Sequence, residues 1–279
     1  MAEVLRYTAF SDDPAGGNPA GVVLDAAGLD AERMLAIAAE VGYSETAFLV
    51  GRDGEGYDIR YFSPLAEVPF CGHATVATAV ALAERDGPGR VLLRTVGGPV
   101  PVITARDGGG TLSATLTSVE PRVEEVEPGD LAEVLAALGW SPAELDDALP
   151  PRVGFAGAHH LVLAAATRER LAALDYDFDR LGALMRARDW TTVQLVWREA
   201  ELRFHSRNPF PVGGVVEDPA TGAAAAAFGA YLRELGLIRP PASVTIVQGE
   251  DMGRPGLLRV DIHADRPQID VTGAAVRIG

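Results

Sequence analysis

Cysteine is almost missing from this chain. Of 279 residues only Cys71 is one, so no internal disulfide can form. The five histidines do not stand at zinc-ligand spacing from it, and the sequence pattern implies no metal. Basic clusters are missing too. With a formal net charge of −15 and no run of Lys or Arg, the chain lacks the footprint that a nucleic-acid backbone requires. The acidic excess reads as solvated surface. Small anions remain admissible ligands, because helix starts together with Arg207 or Arg254 can outweigh a diffuse negative background at short range. The opening MAEVLRYTAF shows no basic leader followed by a long apolar stretch, and no segment approaches the length of a membrane span. A cytoplasmic protein is therefore expected. No GxxxxGK followed by Ser or Thr occurs, and GGNPAG lies between strand-like segments without leading into a helix, so no nucleotide loop is expected.

What is present is duplication. CGHAT at Cys71 to Thr75 and EDPATGA at Glu217 to Ala223 each join a strand-like segment to an Ala-rich helical run, about 150 residues apart. Aligning Gly72 with Gly222 superposes Ala74 on Ala224, Ala77 on Ala227 and Leu82 on Leu232. The pattern predicts two similar lobes facing one another across a cleft. The first turn of a helix leaves backbone N–H groups without partners and makes that end partly positive. Glycine at the entry lets a ligand approach the backbone, so such starts suit a small carboxylate. The alternative is that both glycines only permit tight turns in a crowded core.

A chain of this length, 48% hydrophobic, can bury a core in each of two lobes. Residues 119–129, VEPRVEEVEPG, show no clear period and read as a connector. The expected division is 1–120 and 121–265, with a strand-like segment at 266–279 that returns to the first lobe. Asn18 and Pro19 fall in the Gly/Pro loop between the first two strands, and SPAEL from Ser141 has a helix-start pattern.

Four side chains stand out as carriers of chemistry. Glu45 lies at a helix-to-strand crossing in GYSETAFLV. A carboxylate in such uncharged surroundings loses hydration, which raises its pKa toward the range useful for proton transfer; helix capping or a surface strand charge is the alternative. His73, the second residue of the Gly72 helix, can donate an N–H to a substrate oxygen, or serve structure alone. Asp218 precedes Pro219 and either binds substrate or accepts backbone N–H groups of the turn. Cys71 stands where a thiolate is favoured, but the aligned residue in the other half is Thr221. Racemisation by two thiols is thereby disfavoured.

GGNPAGVV, GYSETAF, RYFSPLAEVPFCGHATVATA, EDPATGAAAAAFGAYL and QGEDMGRPG occur in this order along nearly the whole chain. Together they resemble the PhzF-like phenazine-biosynthesis protein family. The resemblance implies an α+β fold like that of diaminopimelate epimerase, with two pseudo-symmetric lobes, each a β-barrel-like sheet around a central helix. It also implies a homodimer and a cofactor-independent isomerisation of a small carboxylate-bearing substrate. By motif, Glu45 resembles the acid/base, within reach of His73 and Asp218 as assisting or substrate-binding residues. Asn18 would bind substrate, while Gly72, Gly222 and Ala223 would offer backbone donors to its carboxylate. The family's second junction usually reads TGS, whereas this chain has Ala223; the backbone donor survives and a hydroxyl is lost. The rivals to an isomerase are a racemase or epimerase using Cys71 with another base, and a member that binds ligand without turnover.

Overall fold

The computed structural model describes residues 2–279. The chain divides into two compact units, Met1–Thr117 with Thr272–Gly279, and Ser118–Val271.

The first unit closes a barrel of eight strands. Leu5–Ala9 pairs antiparallel with Asn18–Val23, which runs parallel to Thr46–Arg52; Tyr57–Phe62 is antiparallel to that strand and parallel to Arg90–Thr95. Gly98–Arg106 and Leu112–Thr117 follow antiparallel. The last strand, Ile269–Arg277, pairs with Leu112–Thr117 on one side and with Leu5–Ala9 on the other, which completes the ring. Inside runs the helix Gly72–Asp86, buried without a break from His73 to Ala83. A helix buried on every face must be enclosed on every face, and its alanines and threonines keep it thin enough to fit. The helix Ala31–Val41 instead buries only Met34, Ile37 and Ala38, as an outer amphipathic helix does; Asp30 caps its start and Gly42, with φ 73°, ends it.

The second unit repeats this plan. Arg152–Phe155 is antiparallel to His159–Ala164, which is parallel to Trp190–Ala200; Arg203–Phe210 is antiparallel to that strand and parallel to Ala242–Gln248, and Gly256–Ile262 closes the run antiparallel. The order of senses (antiparallel, parallel, antiparallel, parallel, antiparallel) is that of the first unit's strands from Leu5 to Arg106. The enclosed helix is Gly222–Glu234, buried from Ala224 to Leu232. Its fit is close: a Cβ on Gly229 would lie 2.7 Å from Val260 Cγ1. The helices Pro128–Leu138 and Phe178–Arg188 share an outer core with Leu161, Leu163, Val193 and Leu195 of the sheet.

Three local expectations need correction. The stretch read as a connector contains the strand Arg122–Glu125, paired with Arg152–Phe155, and the helix that begins at Pro128. Its residues are mostly exposed, so no hydrophobic period marked it; only the partner strand makes it β. Asn18 is the first residue of a strand rather than a loop residue. The Ser141 pattern does form its reciprocal cap, with the Ser141 N–H donating to Glu144 Oε2 at 2.8 Å, but only a short 3-10 turn, Pro142–Glu144, follows. Among the described residues no helix is long and apolar enough to cross a membrane.

Candidate active site

Glu45 owes its position to the strand that follows it. After Gly42 ends the outer helix, Thr46 enters the barrel beside Gly21, and the Gly21 N–H donates to the Glu45 carbonyl at 3.2 Å. These two strands touch at Gly21: a Cβ there would stand 2.6 Å from Thr46 Oγ1. Asn18, buried, lies three residues earlier on the same strand, opposite Ala9.

The start of the enclosed helix supplies the partners. Cys71 is the residue before the first turn, in extended conformation, and its side chain does not cap the helix. Instead Sγ lies 3.5 Å from Glu45 Oε2 and 3.4 Å from His73 Nδ1. His73 Nε2 stands 3.4 Å from the same carboxylate oxygen and 3.3 Å from Ser44 Oγ. Two further residues brace this helix start. Thr75 Oγ1 donates to the Cys71 carbonyl at 2.6 Å and shares a 2.6 Å hydrogen bond with Tyr61 Oη, deep in the barrel. Burial raises the Tyr61 pKa, which keeps the phenol a neutral partner.

Side-chain exposure is 14% for Glu45 and 7% for His73. Loss of hydration pushes the Glu45 carboxyl above its ordinary range, and this outweighs the hydrogen bonds from Ser44 and Cys71 that favour its ionised form. A carboxylate that releases its proton less readily, beside an imidazole, has the properties of a general base. The three side chains also form a candidate ligand set, their donor atoms all within 4.8 Å of one another. The absence of zinc-ligand spacing was thus no guide to this convergence, since Glu45 arrives from another element.

In the second unit the equivalent junction is built differently. Asp218, buried at the end of the strand Val215–Asp218, accepts a hydrogen bond from Thr221 Oγ1 at 2.6 Å. Gln248, also buried, donates from Nε2 to the Asp218 carbonyl at 2.8 Å and to Thr221 Oγ1 at 3.0 Å, and accepts from the Thr221 N–H at 3.1 Å. Gly222 and Ala223 open the enclosed helix, again with no side-chain cap from the residue before. Arg207 does not act as a local cation. Its guanidinium grips Glu217 at 2.6 Å and 3.0 Å, with side-chain exposures of 11% and 3%, and donates to the Ala172 carbonyl as well. The pair neutralises itself, which the sequence separation of ten residues did not announce. Arg254 lies in the turn after Gly253, its N–H bonded to the Gly249 carbonyl.

The structure therefore brings Glu45, Cys71 and His73 together in one unit, and gathers Asp218, Gly222 and Ala223 at one junction of the other. Sequence reasoning missed Ser44, Tyr61, Thr75 and Gln248. All four stand inside the motifs quoted above, Ser44 in GYSETAF, Tyr61 and Thr75 in RYFSPLAEVPFCGHATVATA and Gln248 at the head of QGEDMGRPG, but nothing local marked them as partners of these helix starts.

An enclosed helix inside a closed barrel, with the plan repeated, is shared with known proteins. A probable proline racemase from Agrobacterium radiobacter has the same fold, with a TM-score of 0.70 at 13% identity, over 100% of this chain and 92% of that one. A Bacillus anthracis phenazine biosynthesis protein of the PhzF family superposes with a TM-score of 0.90 at 26% identity, covering 100% and 97% of the two chains. Residues 7–279 match the family described as phenazine biosynthesis-like protein, PhzC-PhzF. The chain belongs to that family. It is 32% identical to the trans-2,3-dihydro-3-hydroxyanthranilate isomerase of Pseudomonas chlororaphis, over 100% of this chain and 98% of that protein. The protein is an isomerase.

Proposed function

We propose that the protein moves a proton between two carbons of a small carboxylate-bearing substrate, without a cofactor, using Glu45 as the acid/base. One observation carries this reading: the Glu45 carboxyl is largely withdrawn from water, held above its ordinary pKa by that burial, and touches His73. The ionised Glu45 removes a proton from a carbon next to a conjugating group, and the electron pair left behind delocalises into that group. The neutral acid then returns the proton to another carbon on the same face, which regenerates the carboxylate with no net oxidation or reduction. His73 donates to the substrate oxygen where negative charge develops, and the dry surroundings strengthen that interaction.

Asp218 assists and binds substrate, and Asn18 with the backbone N–H groups of Gly72, Gly222 and Ala223 completes the binding set. Helix starts without side-chain caps support these roles. The P. chlororaphis relative is named for a hydroxylated ring carboxylate, and a substrate of that class fits the chemistry. With Ala223 the site lacks a hydroxyl, so a substrate group that depends on one, worth about 0.5–1.5 kcal/mol, is not favoured.

The test is solvent-deuterium incorporation during turnover by wild type and Glu45→Gln. The folded variant should incorporate none above background; incorporation at the wild-type rate ends this assignment. A second reading, epimerisation with Cys71 as a further base, draws on the 3.5 Å contact between the thiol and Glu45. It predicts that Cys71→Ser loses activity as completely as Glu45→Gln does.

A further inference from the structure

The turn that carries the chain from Asp218 into the Gly222 helix is fastened by a side chain from another strand. Gln248, 1% exposed, ends the strand Ala242–Gln248, where its backbone pairs with Ser206 on one side and Gly256 on the other. Its amide spans the turn. Oε1 accepts from the Thr221 N–H at 3.1 Å, while Nε2 donates to the Asp218 carbonyl at 2.8 Å and to Thr221 Oγ1 at 3.0 Å. Turning the amide over would set its oxygen against the Asp218 carbonyl and its nitrogen against the Thr221 N–H, so one orientation alone fits. That orientation fixes the next bond as well. Because Thr221 Oγ1 already accepts from Gln248, its single hydrogen goes to Asp218 Oδ2, 2.6 Å away.

The residue after Gln248 is fitted to the same turn. Gly249 has φ 79°, and a Cβ there would stand 2.6 Å from the Pro219 carbonyl oxygen and 2.4 Å from that of Arg254. Only glycine lets the strand end approach the turn so closely. Beyond it Glu250 is held at 3.0 Å by both His205 Nδ1 and Arg168. Gln248 therefore projects from backbone that is anchored before and after it.

We propose that Gln248 is a positioning residue for the reaction: through the Thr221 hydroxyl it aims the Asp218 carboxylate, and through the Thr221 N–H and the Asp218 carbonyl it sets where the Gly222 helix begins. Both of its N–H donors are engaged within the turn, so it acts through Thr221 and Asp218 and not on substrate. The first unit offers a contrast. There Tyr61 reaches Thr75, which donates to the Cys71 carbonyl, and that brace ends on backbone. Gln248 reaches a carboxylate as well. Its effect on turnover rests on the proposed role of Asp218 in binding substrate; its hold on the turn does not.

The experiment reads the two separately. Gln248→Met keeps the length of the side chain and removes all three hydrogen bonds. In hydrogen exchange followed by mass spectrometry, residues 218–225 of this variant should exchange at least about tenfold faster than in wild type, with residues 71–78 of the first unit unchanged. Wild-type protection of 218–225, or equal loosening of both segments, overturns the proposal. Turnover is measured on trans-2,3-dihydro-3-hydroxyanthranilate, the compound for which the P. chlororaphis relative is named. Gln248→Met should lower kcat/KM on the order of tenfold, mainly through KM. Added to Asp218→Ala it should lower kcat/KM little further, because its effect passes through that carboxylate. An unchanged KM, or losses that multiply in the double variant, overturns the positioning role. If Glu45→Gln matches wild type on this compound, the reading of the reaction fails instead, and the exchange of 218–225 alone decides Gln248.

Discussion

The two enclosed helices begin alike and end the likeness one residue earlier. Each opens on glycine after an extended residue whose side chain does not cap it, and each is fed by a short strand. In the first unit the residue before the glycine is Cys71, set against a buried carboxylate and an imidazole. In the second it is Thr221, whose hydroxyl donates to Asp218 and accepts from Gln248. The first junction sets a carboxylate against a thiol and an imidazole, whereas the second ties its carboxylate to a hydroxyl that an amide also holds. The plan of the fold occurs twice, and the side chains gathered at its two helix starts differ. That asymmetry favours one acid/base working on one face over two bases of equal standing.

The largest expected effect tests this directly. Glu45→Gln should lower turnover by about 10³-fold, within the range set by loss of a general base, whereas a route shared with a second base would leave more activity. Next comes the other junction. Asp218→Ala deprives Thr221 of its acceptor and should cost roughly 10- to 100-fold in kcat/KM, carried mainly by KM if that junction binds rather than transfers protons. A variant that lowered kcat as far as Glu45→Gln does would erase the contrast between the units.

Gly21→Ala probes how the Glu45 junction is held. Its new methyl group has 2.6 Å to Thr46 Oγ1, so urea unfolding should show a loss of about 1–3 kcal/mol, the usual range for overpacking, with turnover falling as Glu45 shifts. Unchanged stability would mean that the neighbouring strand yields freely. Cys71→Ser should reduce turnover by less than about tenfold, because in the proposed reaction the thiol supports Glu45 without carrying the proton; a complete loss would instead favour the two-base route.

The smallest effect is one of pH. Burial raises the Glu45 pKa in the folded protein, so the folded state holds this proton more tightly than the unfolded chain. Its contribution to stability is fully present below the unfolded-state value, about 4.3, and is lost as pH rises through the folded value. Glu45→Gln should therefore melt higher than wild type above that window, with the difference vanishing below it. Wild-type turnover should rise across the same window as the base ionises. A Tm difference that does not vary with pH would show that Glu45 is not desolvated.

Parts of this arrangement were legible in advance for definite reasons. A glycine before a long Ala-rich run announces a helix start, and both such runs proved to be the enclosed helices. A single carboxylate among uncharged neighbours announces desolvation, and burial does raise the Glu45 pKa. The strand Arg122–Glu125 was not legible, because exposed charges carry no period and the pairing with Arg152–Phe155 lies outside the segment. Gln248 stood in the QGEDMGRPG motif with no role assigned to it, since the loop it fastens is 27 residues earlier. The Arg207–Glu217 pair was hidden for a related reason: antiparallel pairing of two strands, not spacing along the chain, sets them side by side.

By itself the sequence determined where the two helices begin, that they are slender enough to be enclosed, and that one carboxylate stands apart from other charges. These follow from local composition, which acts over a turn or a strand. Only the tertiary structure decided that Glu45 would meet a thiol and an imidazole 26 and 28 residues further on, and that Asp218 would be tied to Gln248. Desolvation and donor convergence depend on every group packed around a site, and barrel closure, rather than chain distance, chooses those groups.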